Sequence, residues 1–570
     1  MNTIQTQQHN ISLGQKVLQE QADNYESGLF YLPKHTYYSA STSVGSGKTL
    51  AAIDYMLSAE KSLKNFLYVA PTIKLVEQTT KGLKEALQQT KRKTRNVNLV
   101  HSINTSEKQS ASQVAINTFN DSTANTGVIV ILTTTTFLNI LPLIRNKKEW
   151  SVVMDEAFSP VSFVKYELGQ REDIKSHNRQ YFSNLFQIDD NDNKSITPTT
   201  GKTNLVREIA RNNWKEVGSM YRGMQPLAQA VTNSALRVEL TEMRKDRFTF
   251  ATWVTPEHFN DFRECIFLAA LFEETILYHL WSREYQATFK PHRFFDEVID
   301  RNIHTSQGHF VSVGHLLHPE DHASKYNLQR NYQTGKRDAQ EGLRVIDKCV
   351  DISQTYFTNT SMLLQVNAWT GHTNRHQPNK NVTVIPCMSQ GINEYQDHKA
   401  IAALAVTNPE PHMLKWLKER TQLPEKTLYR AFRIHNVYQA CGRTAIRNWG
   451  NTDQVTFLVV GKEDALFLHE LFENSTWLGQ VGDIESLKKL NKNNTPKATL
   501  ESDPDYQQLR LQYKRLNTRI NSAKKSMKTP EAIDILTFEN IKESIATLKV
   551  DYESNQEKEH LNRYFRNDIS

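Results

Sequence analysis

Along most of this chain, short apolar runs of β-prone residues alternate with longer stretches whose apolar positions recur at helical spacing. Residues 36–40, 66–70, 128–132 and 151–154 read as strands; residues 50–57 and the stretch opening at Leu75 and Val76 read as helices. Such alternation builds a parallel sheet covered by helices, with ligands collecting beyond the carboxyl ends of the strands. Past Trp281 the pattern restarts, and strands are expected at 361–366, 382–386 and 455–460. The predicted fold class is therefore α/β, with parallel sheets flanked by helices in two successive domains.

Three segments depart from that rhythm. Residues 188–203 form an acidic polar loop, 204–233 read as helical runs and 237–254 as a hairpin, together an accessory subdomain or wedge inserted in the first domain. The Gly201-Lys202-Thr203 triplet there has no preceding strand and reads as loop. Near the other end, Leu509, Tyr513, Leu516 and Ile520 make one apolar stripe, and Phe538, Ile541, Ile545 and Leu548 another, joined across 526–531 as a helical hairpin. Its first helix carries Arg510, Lys514, Arg515, Arg519, Lys524 and Lys525, equally a nucleic-acid contact or a solvated face. Residues 1–35 are polar and Gln-rich, with a helical tendency over 17–25 and three glutamines, Gln15, Gln19 and Gln21, that could reach a base.

A length of 570 residues exceeds a single core. The net charge of +7 leans toward polyanionic partners. Cys265, Cys349, Cys387 and Cys441 lie far apart without a CxxC pair, which excludes a zinc finger, offers no disulfide framework and fits a reducing cytoplasm. No apolar run approaches the roughly 18 residues of a membrane span, so no membrane partner is expected. His304, His309, His315, His318 and His322 cluster, but no cysteine joins them and satisfied or surface histidines are the favoured reading over a metal site.

The densest chemistry lies at residues 41–49, STSVGSGKT, between an expected strand and an expected helix. Gly45 and Gly47 free the backbone to turn its N–H groups onto phosphate oxygens, together with those of Thr42, Ser43, Val44 and Ser46, while the following helix adds its positive end. Lys48 would reach the β- and γ-phosphates and Thr49 would ligate Mg²⁺. The strand at 151–154 delivers Asp155 and Glu156, costly in an apolar setting unless a cation or a reaction uses them. Asp155 suits Mg²⁺, and Glu156 suits activation of a water. Hydroxyls at Thr133 to Thr136 suit phosphate contacts, although β-branched threonines also simply extend a strand. In 437–447, VYQACGRTAIR, the spacing of Gln439, Arg443 and Arg447 at i, i+4 and i+8 predicts one helical face offering an amide and two guanidiniums to a phosphate.

Taken in order, GSGKT, the strand YVAPTIKLVEQ, the TTTTF block, DEAF and QACGRTAIR resemble the motifs of superfamily 2 helicases and translocases. That resemblance implies two RecA-like domains clamping ATP and Mg²⁺ between them and stepping along nucleic acid. It assigns residues 36–290 to the first domain, with an insertion at about 160–255, 291–480 to the second, and 481–570 to a basic helical region that is also an expected site for a protein partner. It places Gly391 and Asn393, in MSQGIN, at a further nucleotide-sensing turn, where Asn393 replaces an aspartate and cannot act as a base. The block FLAAL at 267–271 occupies the place of a hydroxyl-bearing motif but has no hydroxyls. Thr42 replaces the usual first glycine of the phosphate loop. One extra residue precedes the last arginine, so Arg447 is the first choice for the arginine finger and Arg443 the second. The implied activity is an ATP-dependent helicase or translocase with DNA favoured over RNA; its rival is a nucleotide-gated clamp or loader that separates no strands.

Overall fold

In the computed structural model the described residues are 36–58, 64–89, 99–100, 111–121, 127–169, 171–189, 192, 194–211, 220–299, 302–337, 339–372, 381–387, 395–487, 490, 504–525 and 537–547. The expectations for residues 1–35, for the MSQGIN turn with Gly391 and Asn393, for the 526–531 connection and for Leu548 lie outside them. The chain divides into two compact units, Met1–Tyr332 with Arg337–Ile484, and Gln333–Lys336 with Glu485–Ser570.

The first unit holds two parallel sheets. The strands of the first are β1 (Thr36–Thr42), β2 (Asn65–Ala70), β3 (Leu99–Val100), β4 (Ile129–Thr133) and β5 (Trp150–Asp155). The chain then leaves this sheet for β6 (Val161–Glu167), β7 (Phe186–Ile188), β8 (Ile196–Pro198), β9 (Leu236–Met243) and β10 (Arg247–Val254), and returns with β11 (Glu264–Ala270) and β12 (Thr288–Pro291). The order β12-β1-β11-β5-β2-β4-β3 sets β11 between the strand that feeds the phosphate loop and the one that ends in Asp155. All residues of β2 and β5 are buried, as continuous apolar strands covered on both faces should be. The second sheet is built from β13 (Val311–His315), β14 (Met362–Gln365), β15 (Val382–Ile385), β16 (Ala400–Ala403), β17 (Val455–Val459) and β18 (Thr476–Gln480), in the order β15-β14-β16-β17-β13-β18. Every pairing in both sheets is parallel. These are two RecA-like domains, the first with an insertion.

The insertion has its own core. Strands β6, β10 and β9 pair antiparallel, and Phe182, Phe248 and Phe250 pack beneath them with Val206 and Ile209 of helix Thr203–Arg211. The expected hairpin and helical runs are present, and Gly201 sits in a turn with φ of 78° before Thr203 opens a helix. One face of this sheet is partly covered by a helix from the second half of the chain. Helix Pro411–Thr421, which follows β16 of the second sheet, places Leu414, Trp416 and Leu417 in the same apolar cluster as Trp253 and Trp281. The insertion is thus a cradle for a helix from the second half of the chain.

The second unit contains helix Pro504–Lys525, with Tyr506 and Ile520 buried, Leu509, Tyr513 and Leu516 half-buried, and Arg510, Lys514, Arg515 and Arg519 exposed. Residues 537–547 are helical, and Phe538 stacks on Tyr513 with ring centroids 4.5 Å apart. No helix among the described residues is long and apolar enough to cross a membrane.

Candidate nucleotide site between the two sheets

Strand β1 ends at Thr42 and helix Lys48–Leu57 begins six residues later, so the five residues 43–47 must reverse onto the helix start. Gly45 and Gly47 take φ of 72° and 89°, conformations that an L side chain would strain. Thr42, where a first glycine is usual, braces the turn instead: the Ser46 hydroxyl donates to its Oγ1 at 2.9 Å. Lys48 curls back and donates from Nζ to the Ser43 carbonyl at 3.1 Å. Thr49 Oγ1 donates to Asp155 Oδ2 at 2.8 Å. A hydroxyl and a carboxylate side by side next to a phosphate cradle are hard oxygen donors that fit Mg²⁺, which is usually held by one or two carboxylates together with substrate phosphates. No group of three or more His, Cys, Asp or Glu residues that could hold a metal occurs among the described residues. His304 bonds instead to Tyr438 at 2.6 Å and His315 to the Leu317 carbonyl at 2.8 Å.

Glu156 follows β5 with φ of 86°, a region that residues with side chains enter at a cost of about 1–3 kcal/mol. Its N–H donates to Leu268 of β11 at 2.8 Å, and its Oε2 accepts from Gln439 Nε2 at 3.3 Å across the cleft. Thr133 extends β4 as its last residue, paired with Ala70, and its hydroxyl caps helix Thr134–Ile140 by accepting from Thr136 N at 3.3 Å.

Gln439, Arg443 and Arg447 do not share one helical face, contrary to their spacing. Helix His435–Cys441 stops at Gly442, and Arg447 arrives on a separate 3₁₀ turn, Ala445–Arg447. The two domains approach closely at this break: a Cβ at Gly442 would overlap the Val44 side chain, and one at Gly45 would lie 2.5 Å from Arg447 Cγ. The turn nevertheless returns Arg447 to the same place. Residues 44–50, Leu75, Asp155 and Glu156 from the first domain, and Gln396, Gln439, Gly442, Arg443 and Arg447 from the second, line one cavity of about 190 Å³.

Several participants were not singled out from sequence. Tyr438, inside the quoted VYQACGR block, accepts from Val44 N at 2.9 Å; Trp449 Nε1 donates to the Gly45 carbonyl at 3.3 Å; Ser43 Oγ accepts from Ile303 N at 3.3 Å. The second domain therefore holds the 43–47 turn by two of its backbone groups and the Ser43 hydroxyl. Tyr68, inside YVAPT, donates its hydroxyl to Asp155 Oδ2. A polar atom within an apolar strand was the available signal for Tyr68. Nothing local marked Trp449 or Gln396.

Three cations and two carboxylates share this enclosed space. Burial lowers the Lys48 pKa, Glu156 and Asp155 push it back up, and Arg447 and Arg443 oppose them. Burial and then Arg447 bring Arg443 down to about 10, with Glu156 pulling the other way. Arg447 is likewise lowered by burial, against Glu156 and Asp155. Burial and the neighbouring Glu156 raise Asp155, opposed by hydrogen bonds from Tyr68 and Thr49 and by Lys48. Such a cluster favours an entering polyanion, which would stabilise the charged form of all three cations.

Residues 7–165 match the DEAD/DEAH box helicase family. No curated protein matches the chain in sequence. Among solved structures, S. cerevisiae Dbp5 bound to RNA and ADP BeF3 aligns over 81% of this chain and 90% of its own at 12% identity, with a TM-score of 0.33. The DUF1998 helicase MrfA bound to DNA aligns over 79% of this chain and 46% of its own at 10% identity, with a TM-score of 0.31. Superpositions this loose add nothing to what the strand order itself shows. A DEAD/DEAH box helicase domain at residues 7–165, together with two RecA-like sheets, supports a superfamily 2 helicase family for this chain.

Proposed function

We propose that this chain is an ATP-driven helicase or translocase on nucleic acid, DNA ahead of RNA, with ATP and Mg²⁺ bound between its two RecA-like domains. One observation carries the reading: Lys48, Thr49, Asp155 and Glu156 from one sheet, and Gln439, Arg443 and Arg447 from the other, line a single cavity. Lys48 and the N–H groups of the loop would bind the phosphates. Thr49 and Asp155 would hold magnesium, which when bound neutralises phosphate charge. Glu156 would take the proton of an attacking water, Gln439 would orient Glu156 through their hydrogen bond, and the arginines would meet charge as it develops on the transferred group. Exposed cations on helix Pro504–Lys525 support a polyanionic track.

ATP hydrolysis measured with single-stranded DNA, duplex DNA and RNA side by side tests this. Glu156→Gln is expected to keep ATP binding and lose turnover, and Lys48→Ala to lose nucleotide affinity. A Glu156→Gln protein that hydrolyses ATP at the unaltered rate would falsify the assignment of the base. The clamp or loader remains the second reading because Ala269 and Ala270, buried at the end of β11, supply no hydroxyl beside the site. Strand displacement from a partial duplex separates the two.

A further inference from the structure

Tyr68 is fully buried on β2 and belongs to the same apolar cluster as Tyr55, Phe66 and Val76. A phenylalanine would fill that space equally well, and a phenol hydroxyl taken from water into such a core is costly unless bonded. Here the hydroxyl has two partners. It donates to Asp155 Oδ2, and it accepts from Thr79 Oγ1 at 3.4 Å, a residue of helix Ile73–Gln89. The register explains the meeting. Strands β2 and β5 are parallel, with Tyr68 opposite Val153, so Asp155, two residues on, is its diagonal neighbour on the same face and within reach of a long aromatic side chain.

Asp155 Oδ2 thus receives two donors, Tyr68 and Thr49, which leaves Oδ1 for whatever enters the cavity that Asp155 lines. The donors differ in kind. Thr49 lines the cavity and belongs to the proposed magnesium site, whereas Tyr68 lies within the sheet and does not line the cavity. We infer that Tyr68, braced by Thr79, is a positioning residue that fixes the Asp155 carboxylate for magnesium. The inference rests on the reading of Asp155 as a magnesium residue. Without the phenol hydroxyl, Asp155 would be held only by Thr49, a group that shares the proposed metal site.

The test uses the full chain and the variants Tyr68→Phe and Thr79→Val. Mn²⁺ is titrated in the presence of a non-hydrolysable ATP analogue and followed by electron paramagnetic resonance; analogue affinity is measured with Mg²⁺ and in EDTA, and melting temperature without ligand. Tyr68→Phe is expected to weaken Mn²⁺ binding about tenfold, the scale of one hydrogen bond to a charged group, while affinity in EDTA stays within about twofold. Thr79→Val should move the same quantity less and in the same direction. Mn²⁺ binding unchanged in both variants overturns the inference. So does an equal loss of analogue affinity with and without metal, which is what a merely structural role produces. If the unaltered protein itself gains no analogue affinity from Mg²⁺, the magnesium reading of Asp155 fails, and the role of Tyr68 fails with it.

Discussion

At the residue scale the cleft concentrates groups whose cost the fold must offset elsewhere. Glu156 occupies a backbone region unfavourable to any side chain, and the result is a carboxylate within reach of Gln439 on the opposite domain. Arg443 is buried and Arg447 half-buried beside it, each depressed by burial, and Arg443 further by its neighbour. A guanidinium in that position should cost turnover far more than ATP affinity when changed, because it meets charge that exists only in the transition state. Fingers of this kind are worth roughly 10³ to 10⁵ in rate. Lysine should not rescue either position, since the planar fork matches phosphate oxygens and a point charge does not. Measured separately, Arg447→Lys is expected to lose most of its stimulated turnover with near-normal ATP affinity, and Arg443→Lys to lose less. Near-normal turnover in both would remove the second domain from the nucleotide and end the two-domain reading.

At the scale of elements, the helix Pro411–Thr421 ties the halves together. Arg420 donates to Glu284 at 2.6 Å and to Glu239, and lies over the rings of Trp253 and Trp416 at 5.0 and 5.2 Å. Trp416 Nε1 adds a bond to Glu239 at 3.2 Å. Removing one partner of a partly buried ion pair leaves the other charges unmatched, so Arg420→Ala should cost about 3 kcal/mol in chemical denaturation. Arg420→Lys should recover less than half, because one ammonium cannot span two carboxylates and two aromatic faces. A cost below about 0.5 kcal/mol would make this a surface pairing only. The tie was not legible in the sequence, where residues 160–255 read as an accessory subdomain or wedge: nothing in a helix's own periodicity tells which core it joins. The central strand β16 was hidden for a related reason, since KAIAALAV is rich in alanine, the best helix former, and only its burial between β14 and β17 makes it a strand. The glycine turn at residues 43–47 and the strand that ends in Asp155 were legible because strand, turn and helix start are written within a few adjacent residues. The stripes of the C-terminal region were legible too, through simple helical periodicity. The exposed Arg510, Lys514, Arg515 and Arg519 of that region carry their own prediction. Deleting residues 482–570 should weaken nucleic-acid binding and flatten its salt dependence by about one unit of log–log slope for every phosphate that these cations neutralise; an unchanged slope in a folded truncation would assign the helix to packing or to a protein partner.

At the scale of the whole molecule, the grip of the second domain on the phosphate loop passes through a titratable group. The Tyr438 oxygen accepts from Val44 N and pairs with His304 Nε2, so a neutral His304 completes a line from one domain to the other. Burial, and then the charge of Lys48, bring His304 down to about 4, and the same two causes bring His435 down to about 4. The sign follows from proton counts. Below the ordinary histidine value near 6.5 the unfolded chain binds a proton at each site that the folded chain refuses until about pH 4, so the stability these neutral rings confer is complete above roughly pH 6.5 and is lost as pH falls toward 4. The limiting slope is about 1.4 kcal/mol per pH unit for each histidine. Asp155 and Asp464, raised by burial, act in the opposite sense, which makes a variant the cleaner measure. Thermal melting between pH 6.5 and 5 should show stability falling with pH, and His304→Gln, which keeps a hydrogen-bonding group but does not titrate, should flatten the slope. Saturating Mg²⁺ with an ATP analogue should flatten it in part, because phosphate charge set against Lys48 offsets the smaller, electrostatic share of the shift while burial keeps the larger share. A slope that responds to His304→Gln but not to nucleotide would show that the polyphosphate does not sit beside Lys48, and would send the search for the ATP site elsewhere in the molecule.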